Sequence, residues 1–144
     1  MERLTIFYTD DDLEDLDFFR EIVDSLGEQY EVVTQNSGMD LLHALHNPPP
    51  HPYLIFLDIN MPGMNGLETL KRVRENDTHR LMPIIMISTS NDISIIEKAR
   101  LFGATYYLPK SGDFDKLKNS IEYVLSVNWG SFITTDKNFV YHNY

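Results

Sequence analysis

Two runs, Leu54-Ile55-Phe56-Leu57 and Ile84-Ile85-Met86-Ile87, are apolar at every position. A strand with one face in water alternates apolar and polar residues; a strand covered by helices on both faces does not. Both runs are short and rich in β-prone residues. Pro52 precedes the first and Pro83 the second. They predict interior strands of a parallel sheet, and each parallel pairing requires a crossover, usually a helix.

The rest of the chain supplies those crossovers. Strands are expected at Leu4–Tyr8, Tyr30–Thr34, Tyr53–Leu57, Pro83–Ile87 and Tyr106–Leu108. Between them, apolar residues recur at helical spacing. Leu16, Phe19, Val23 and Leu26 mark a first helix stopped at Gly27, with Asp12 and Asp15 placed to cap its start. Met39, Leu41, Leu42 and Leu45 mark a second, and Leu67, Leu70 and Val73 a third. Ile93, Ile96 and Ala99 mark a fourth, stopped at Gly103. Phe114, Leu117, Ile121, Val124 and Leu125 mark a fifth. Asn47-Pro48-Pro49-Pro50-His51-Pro52 reads as a stiff surface connector. Strand and helix alternate five times, so a doubly wound α/β fold with a five-stranded parallel sheet in a three-layer αβα arrangement is expected.

Composition narrows the function. The net charge is −10, and residues 1–27 hold nine acids against Arg3 and Arg20. That balance argues against direct nucleic-acid binding, which relies on Lys and Arg neutralising phosphates. It suits a divalent cation or a basic partner surface. With no cysteine there is no disulfide and no thiolate metal site. No apolar run is long enough to span a membrane, and the N-terminus lacks a signal-peptide core, so a cytoplasmic protein is expected.

In an open parallel sheet the C-terminal ends of all strands lie along one edge, where ligands bind. Asp10, Asp11 and Asp12 follow the first strand, Asp58 ends the third, Ser88 the fourth, and Lys110 follows the fifth. Carboxylates converging on one crevice repel one another. A hard cation such as Mg²⁺ compensates them and also coordinates phosphate oxygens. Lysine suits phosphate as a point charge, and a serine hydroxyl donates to a phosphate oxygen. No Gly-rich phosphate loop is present, so a nucleotide is not expected at this edge. The set reads as a phosphoryl site in which Asp58 is the central nucleophile.

At this point the chain resembles the receiver domain of two-component response regulators over roughly residues 3–126. Asp10-Asp11, the segment Asp58-Ile59-Asn60-Met61-Pro62-Gly63-Met64-Asn65-Gly66, Ser88 and Lys110 carry the resemblance in order and spacing. It implies a flavodoxin-like (βα)5 fold, with Asp58 phosphorylated by a histidine kinase or a histidine phosphotransfer protein. It also implies Mg²⁺ (or Mn²⁺) held by the Asp11 and Asp58 side chains and the Asn60 backbone carbonyl, with Asp10 acting through water. Ser88 and Lys110 would contact the phosphoryl group. Ser88 and Tyr107 stand at the family's switch positions, and the face made by the fourth helix, fifth strand and fifth helix is the expected partner surface. Such a protein is no enzyme in the ordinary sense, although it promotes its own phosphorylation and dephosphorylation.

Other residues have simpler readings. Asp12 reads as a helix cap, and His43 with His46 as a solvated helix face lacking a third ligand. Tyr107 also suits plain sheet packing.

Two departures from the family pattern stand out. The family's proline after the lysine is absent: Ser111 follows Lys110, and Pro109 precedes it. A cis bond before a non-proline residue costs roughly 2.5–4 kcal/mol. The Lys110–Ser111 bond is therefore either trans with a re-routed loop or a supported cis bond. Thr89 is bulkier than the small residue usual there and is expected to narrow access to the site.

Residues 127–144 form an aromatic-rich extension beyond a receiver domain at 1–126. Trp129, Phe132, Phe139, Tyr141 and Tyr144 favour packing on the domain itself or on a neighbouring chain. Two β-prone stretches flank Thr135-Asp136-Lys137-Asn138, which suggests a hairpin. Within 144 residues there is no room for a DNA-binding output domain, so a single-domain regulator is expected.

Two other classes stay open. A scaffold that keeps the fold without phosphorylation would bind partners regardless of Asp58. An aspartyl-phosphate hydrolase of the haloacid-dehalogenase kind would need an acid two residues after the nucleophile, where Asn60 stands.

Overall fold

The structure is a computed structural model describing residues 3–142. Its elements are β1 (Leu4–Thr9), α1 (Leu13–Leu26), β2 (Tyr30–Gln35), α2 (Gly38–His46), β3 (Leu54–Asp58), α3 (Gly66–Glu75), β4 (Ile84–Ser88), α4 (Ile93–Leu101), β5 (Tyr106–Pro109) and α5 (Phe114–Ser126), with a 3₁₀ turn at Asp77–His79. The five strands form one parallel sheet in the order β2-β1-β3-β4-β5. This is the expected flavodoxin-like (βα)5 arrangement. Among the described residues, no helix is long and apolar enough to cross a membrane.

The strand pattern explains the layers. β3 and β4 are buried along their whole length. Successive side chains point to opposite faces, so each strand feeds two cores. Ile6, Tyr8, Leu54, Phe56, Ile85 and Ile87 pack with α1 and α5 through Phe19, Leu117 and Ile121. Phe7, Ile55, Leu57, Ile84 and Met86 pack with α2, α3 and α4 through Leu41, Leu70, Val73 and Ala99. Burial of each such side chain contributes about 1.5–3 kcal/mol.

The helices start where side chains satisfy their first N–H groups. Asp12 caps α1 by accepting from the Glu14 and Asp15 N–H groups, as its position in the sequence suggests. Ser37, Asn65, Asp92 and Asp113 cap α2 to α5 in the same way.

The extension after α5 is not a hairpin. The expected first arm, Ser131–Thr134, forms no strand. The chain instead crosses under the sheet and turns up along the free edge of β5. Trp129 Nε1 donates to Val124 O at 2.8 Å, and Thr134 Oγ1 to Thr105 O at 2.8 Å. Tyr107 N–H then donates to Phe139 O at 2.8 Å and Tyr141 N–H to Tyr107 O at 2.9 Å, making a parallel bridge between Tyr107 and Val140. The physical reason is that an exposed strand edge offers unpaired N–H and C=O groups that a local hairpin does not satisfy. Phe139 and Val140 join the core beneath α4, whereas Phe132 and Tyr141 join the one beneath α5. Tyr144 lies outside the described residues.

Candidate functional site

The parallel register delivers the strand tips to one edge. Asp58 pairs with Ile87, and Ser88 with Pro109, one step further along. Asp10 follows β1 directly, and its N–H donates to Gln35 O. Carboxylate oxygens of Asp10, Asp11 and Asp58 all lie within 4.8 Å of one another. Asp10 and Asp58 are buried; Asp11 is exposed. That is one open side on an otherwise enclosed cluster of hard oxygen donors, which fits a divalent cation that retains water ligands. His43 and His46 belong to no comparable group among the described residues.

The turn after β3 is tight because of two backbone bonds: Gly66 N–H and Met61 N–H both donate to Ile59 O, at 2.8 and 3.1 Å. Gly66 is required there. A Cβ on it would stand 2.1 Å from Asp58 O, well inside contact distance. Asn60 sits at the exposed mouth of this turn, and its Nδ2 donates to Ser88 Oγ at 3.4 Å. Ser88 Oγ also accepts from Ser90 N–H at 3.1 Å. Neither bond uses the Ser88 hydroxyl proton.

Lys110 reaches the cluster although no proline follows it. Among the described residues the cis bonds are Pro48–Pro49 and Pro49–Pro50, so Lys110–Ser111 is trans. The Lys110 N–H donates to Ser88 O at 2.7 Å, which anchors the residue beside β4. Its Nζ then lies 3.0 Å from Asp10 Oδ2, 2.9 Å from Asp15 Oδ2 and 3.3 Å from Asp58 Oδ1. Asp15 is the contact that sequence reasoning missed. It sits in the first turn of α1 and reads as part of a cap, whereas its side chain points across to the β5–α5 loop. Tyr8 likewise reads in the sequence only as a strand residue, yet its hydroxyl donates to Asp10 Oδ2.

Burial pushes the Asp58 carboxyl up to about 7; Lys110 pulls it down, and Asp10 pushes it further up. Burial alone would lower the Lys110 ammonium, but Asp58, Asp15 and Asp10 outweigh it and hold the group above its ordinary value. The Tyr8 hydroxyl is raised by burial and by Asp10. The site thus holds more carboxylate than its single lysine neutralises. A cavity of about 280 Å³ beside Lys110 is lined by Tyr8, Asp15, Thr89 and Ser111. Thr89 lines this cavity at an exposed position.

Tyr107 is fully buried in β5, and its hydroxyl donates to Ser90 O at 2.6 Å, two residues beyond Ser88. The Phe139 ring packs against it at 6.2 Å between centroids.

Known proteins resemble this chain both in sequence and in structure. The transcriptional regulator NtrC of Escherichia coli is 33% identical over 93 residues, which is 65% of this chain and 19% of NtrC. PilG of Pseudomonas aeruginosa is 30% identical over 92 residues, 64% of this chain and 67% of PilG. The chain thus spans about a fifth of NtrC. In structure, the phosphorylated cyanobacterial phytochrome response regulator RcpA superposes with a TM-score of 0.81 at 26% identity, over 92% of this chain and 97% of RcpA. The family described as the response regulator receiver domain matches residues 6–122. With that match, the parallel (βα)5 sheet and the acids gathered at its edge, the chain belongs to the receiver-domain family of two-component response regulators.

Proposed function

We propose that this receiver domain accepts a phosphoryl group on Asp58 from a phosphohistidine of a histidine kinase or phosphotransfer protein. The observation that carries the reading is the buried Asp58 carboxylate, set 3.3 Å from Lys110 Nζ and grouped with Asp10 and Asp11. An Asp58 oxygen attacks phosphorus, the P–N bond to the donor imidazole breaks, and that imidazole takes up a proton as it leaves. The phosphohistidine is the co-reactant, so the step needs no nucleotide.

The residues divide the work. Asp11, Asp58 and the Asn60 carbonyl would hold Mg²⁺ (or Mn²⁺), with Asp10 acting through water. When bound, the ion neutralises charge on these acids and on the incoming phosphoryl oxygens. Lys110 offers its ammonium to one phosphoryl oxygen, and Ser88 its hydroxyl proton to another. Asp15 holds Lys110 in place through its 2.9 Å contact with Nζ. Asp58 must be ionised to attack, and its raised pKa makes it depend on nearby positive charge.

Signalling then rests on a shift between conformations that a partner distinguishes. Ser88 and Tyr107 are the proposed switch, joined through the Ser88–Ser90 segment. Residues 139–141 lie along the β5 edge, so a partner that reads the α4–β5–α5 face does so with this segment in place or displaces it. The description of RcpA as phosphorylated supports the reading for a chain 26% identical.

Phosphotransfer from a labelled histidine kinase tests it. Label should pass to the wild-type chain in Mg²⁺ and not to Asp58→Asn. Transfer to Asp58→Asn at the wild-type rate would contradict it.

A further inference from the structure

At the opposite edge of the sheet, the extension roofs a crevice of about 700 Å³ beneath β3, β4 and β5. That volume lies in the range of small-molecule sites. Three of the chain's six arginines, Arg74, Arg80 and Arg100, line it. None of the lining residues is an acid, in a chain with 22 acids and 12 lysines and arginines. Positive charge is therefore gathered here against the overall balance.

Two of these charges lack a carboxylate partner. Arg74 gives Nε to Gly103 O at 2.8 Å, Nη1 to His79 O at 2.7 Å and Nη2 to Thr105 Oγ1 at 3.3 Å. Those neutral acceptors explain where Arg74 lies but leave its charge uncompensated. Its burial is deep enough to lower the guanidinium to about 10. Arg80 makes no side-chain hydrogen bond or ion pair among the described residues. Arg100 pairs with Glu97 at 3.0 Å. Two aromatic rings complete the lining: Trp129 and Phe132 meet at 4.8 Å between centroids with their planes tilted by 59°. Two guanidinium groups without a carboxylate partner suit the doubly charged end of a phosphate monoester, and an angled pair of aromatic rings suits the apolar edge and face of a base.

We propose that this crevice binds a nucleoside phosphate, its phosphate on Arg74 and Arg80 and its base against Trp129 and Phe132. The site is independent of phosphorylation at Asp58. Strands β3 and β4 separate the two edges by about 17 Å, beyond the Debye length of about 10 Å at 0.1 M salt. The acidic cluster therefore does not cancel the local field.

Trp129 is the only tryptophan and lines the crevice, so it reports occupancy directly. The full chain is titrated with AMP, GMP and inorganic phosphate at about 0.1 M salt, following tryptophan fluorescence and heat. Saturable binding of a nucleotide is expected, about tenfold or more tighter than inorganic phosphate. Arg80 is exposed, so Arg80→Glu should fold, and its circular dichroism checks that. It should weaken nucleotide binding about tenfold or more, while Arg80→Lys retains most of it. Three results would overturn the proposal: no saturable change up to about 1 mM nucleotide, equal affinity in folded Arg80→Glu, or phosphate binding as tight as nucleotide.

Discussion

Lys110 Nζ stands 3.3 Å from Asp58 Oδ1 across a trans Lys110–Ser111 bond. The proline usual in the family is thus not needed to aim the lysine. The backbone bond from Lys110 to Ser88 O fixes the root of the side chain, and three carboxylates draw its tip inward. The geometry follows from charge and sheet register together.

Removing the ammonium should therefore be costly. Lys110→Met leaves Asp10 and Asp58 buried without their cation, and breaking such a buried pair costs roughly 3–5 kcal/mol. Asp15→Asn removes only the partly exposed partner and should cost about 1 kcal/mol or less. Urea unfolding of the two variants at neutral pH checks the contrast; equal losses would refute the ranking.

The raised Asp58 pKa makes a stability prediction with a definite direction. The folded protein holds this proton up to about pH 7, whereas the unfolded chain releases it near the ordinary carboxyl value of 3.8. Its contribution is most favourable below that lower value and is lost as pH rises to about 7. The full loss is on the order of 4 kcal/mol at 1.36 kcal/mol per unit. Asp58→Asn cannot ionise, so its stability advantage over wild type should widen from pH 4 to pH 7 and then level off. Thermal melts across that range without divalent cation test this, and a gap independent of pH would contradict it. Adding Mg²⁺ should raise the wild-type melting temperature and leave Asp58→Asn nearly unchanged.

Gly66 sets the position of Asp58 by close approach. In Gly66→Ala the new Cβ must push the backbone at Asp58 aside, since 2.1 Å is no contact distance. Both stability and the phosphorylation rate should fall, because small misplacements of a nucleophile are costly. Gly63→Ala is the informative comparison. Its Cβ would meet nothing, so its cost is confined to a positive φ of 73°. It should unfold at lower denaturant but keep a near-normal rate. Similar rates in both variants would argue against the steric account.

Phe139 should behave as a core residue despite its place near the C-terminus. It is 1% exposed, lies on Tyr107 and anchors the segment that pairs with β5. Phe139→Ala should cost about 3–5 kcal/mol. It should also speed hydrogen exchange at Tyr107 N–H and Tyr141 N–H, whose bonds it supports. Unchanged exchange at these two amides would show that the segment is held by other contacts.

Much of this was legible from the sequence, for identifiable reasons. The doubly apolar runs at residues 54–57 and 84–87, short and β-prone, read as interior strands. A parallel sheet then brings Asp10, Asp58, Ser88 and Lys110 to one edge without further information. Asp15 was not legible in its role, because its partner lies 95 residues away in a loop whose path depends on the whole fold. The path of residues 131–141 differs from the expected hairpin because a β-prone stretch signals a strand but not its partner. The open edge of β5 competed with a local hairpin and won. The arginine crevice was invisible because Arg74, Arg80 and Arg100 come from separate elements.

The central claim is that Asp58 is the residue that carries phosphate. The most direct test is the intact mass of the chain after incubation with Mg²⁺ and acetyl phosphate, or with a phosphorylated histidine kinase where the small donor is a poor substrate. The account predicts a single phosphoryl adduct on the wild type, lost on chelation of the metal and absent from Asp58→Asn. An adduct that persists in Asp58→Asn, or none on the wild type with either donor, would contradict it.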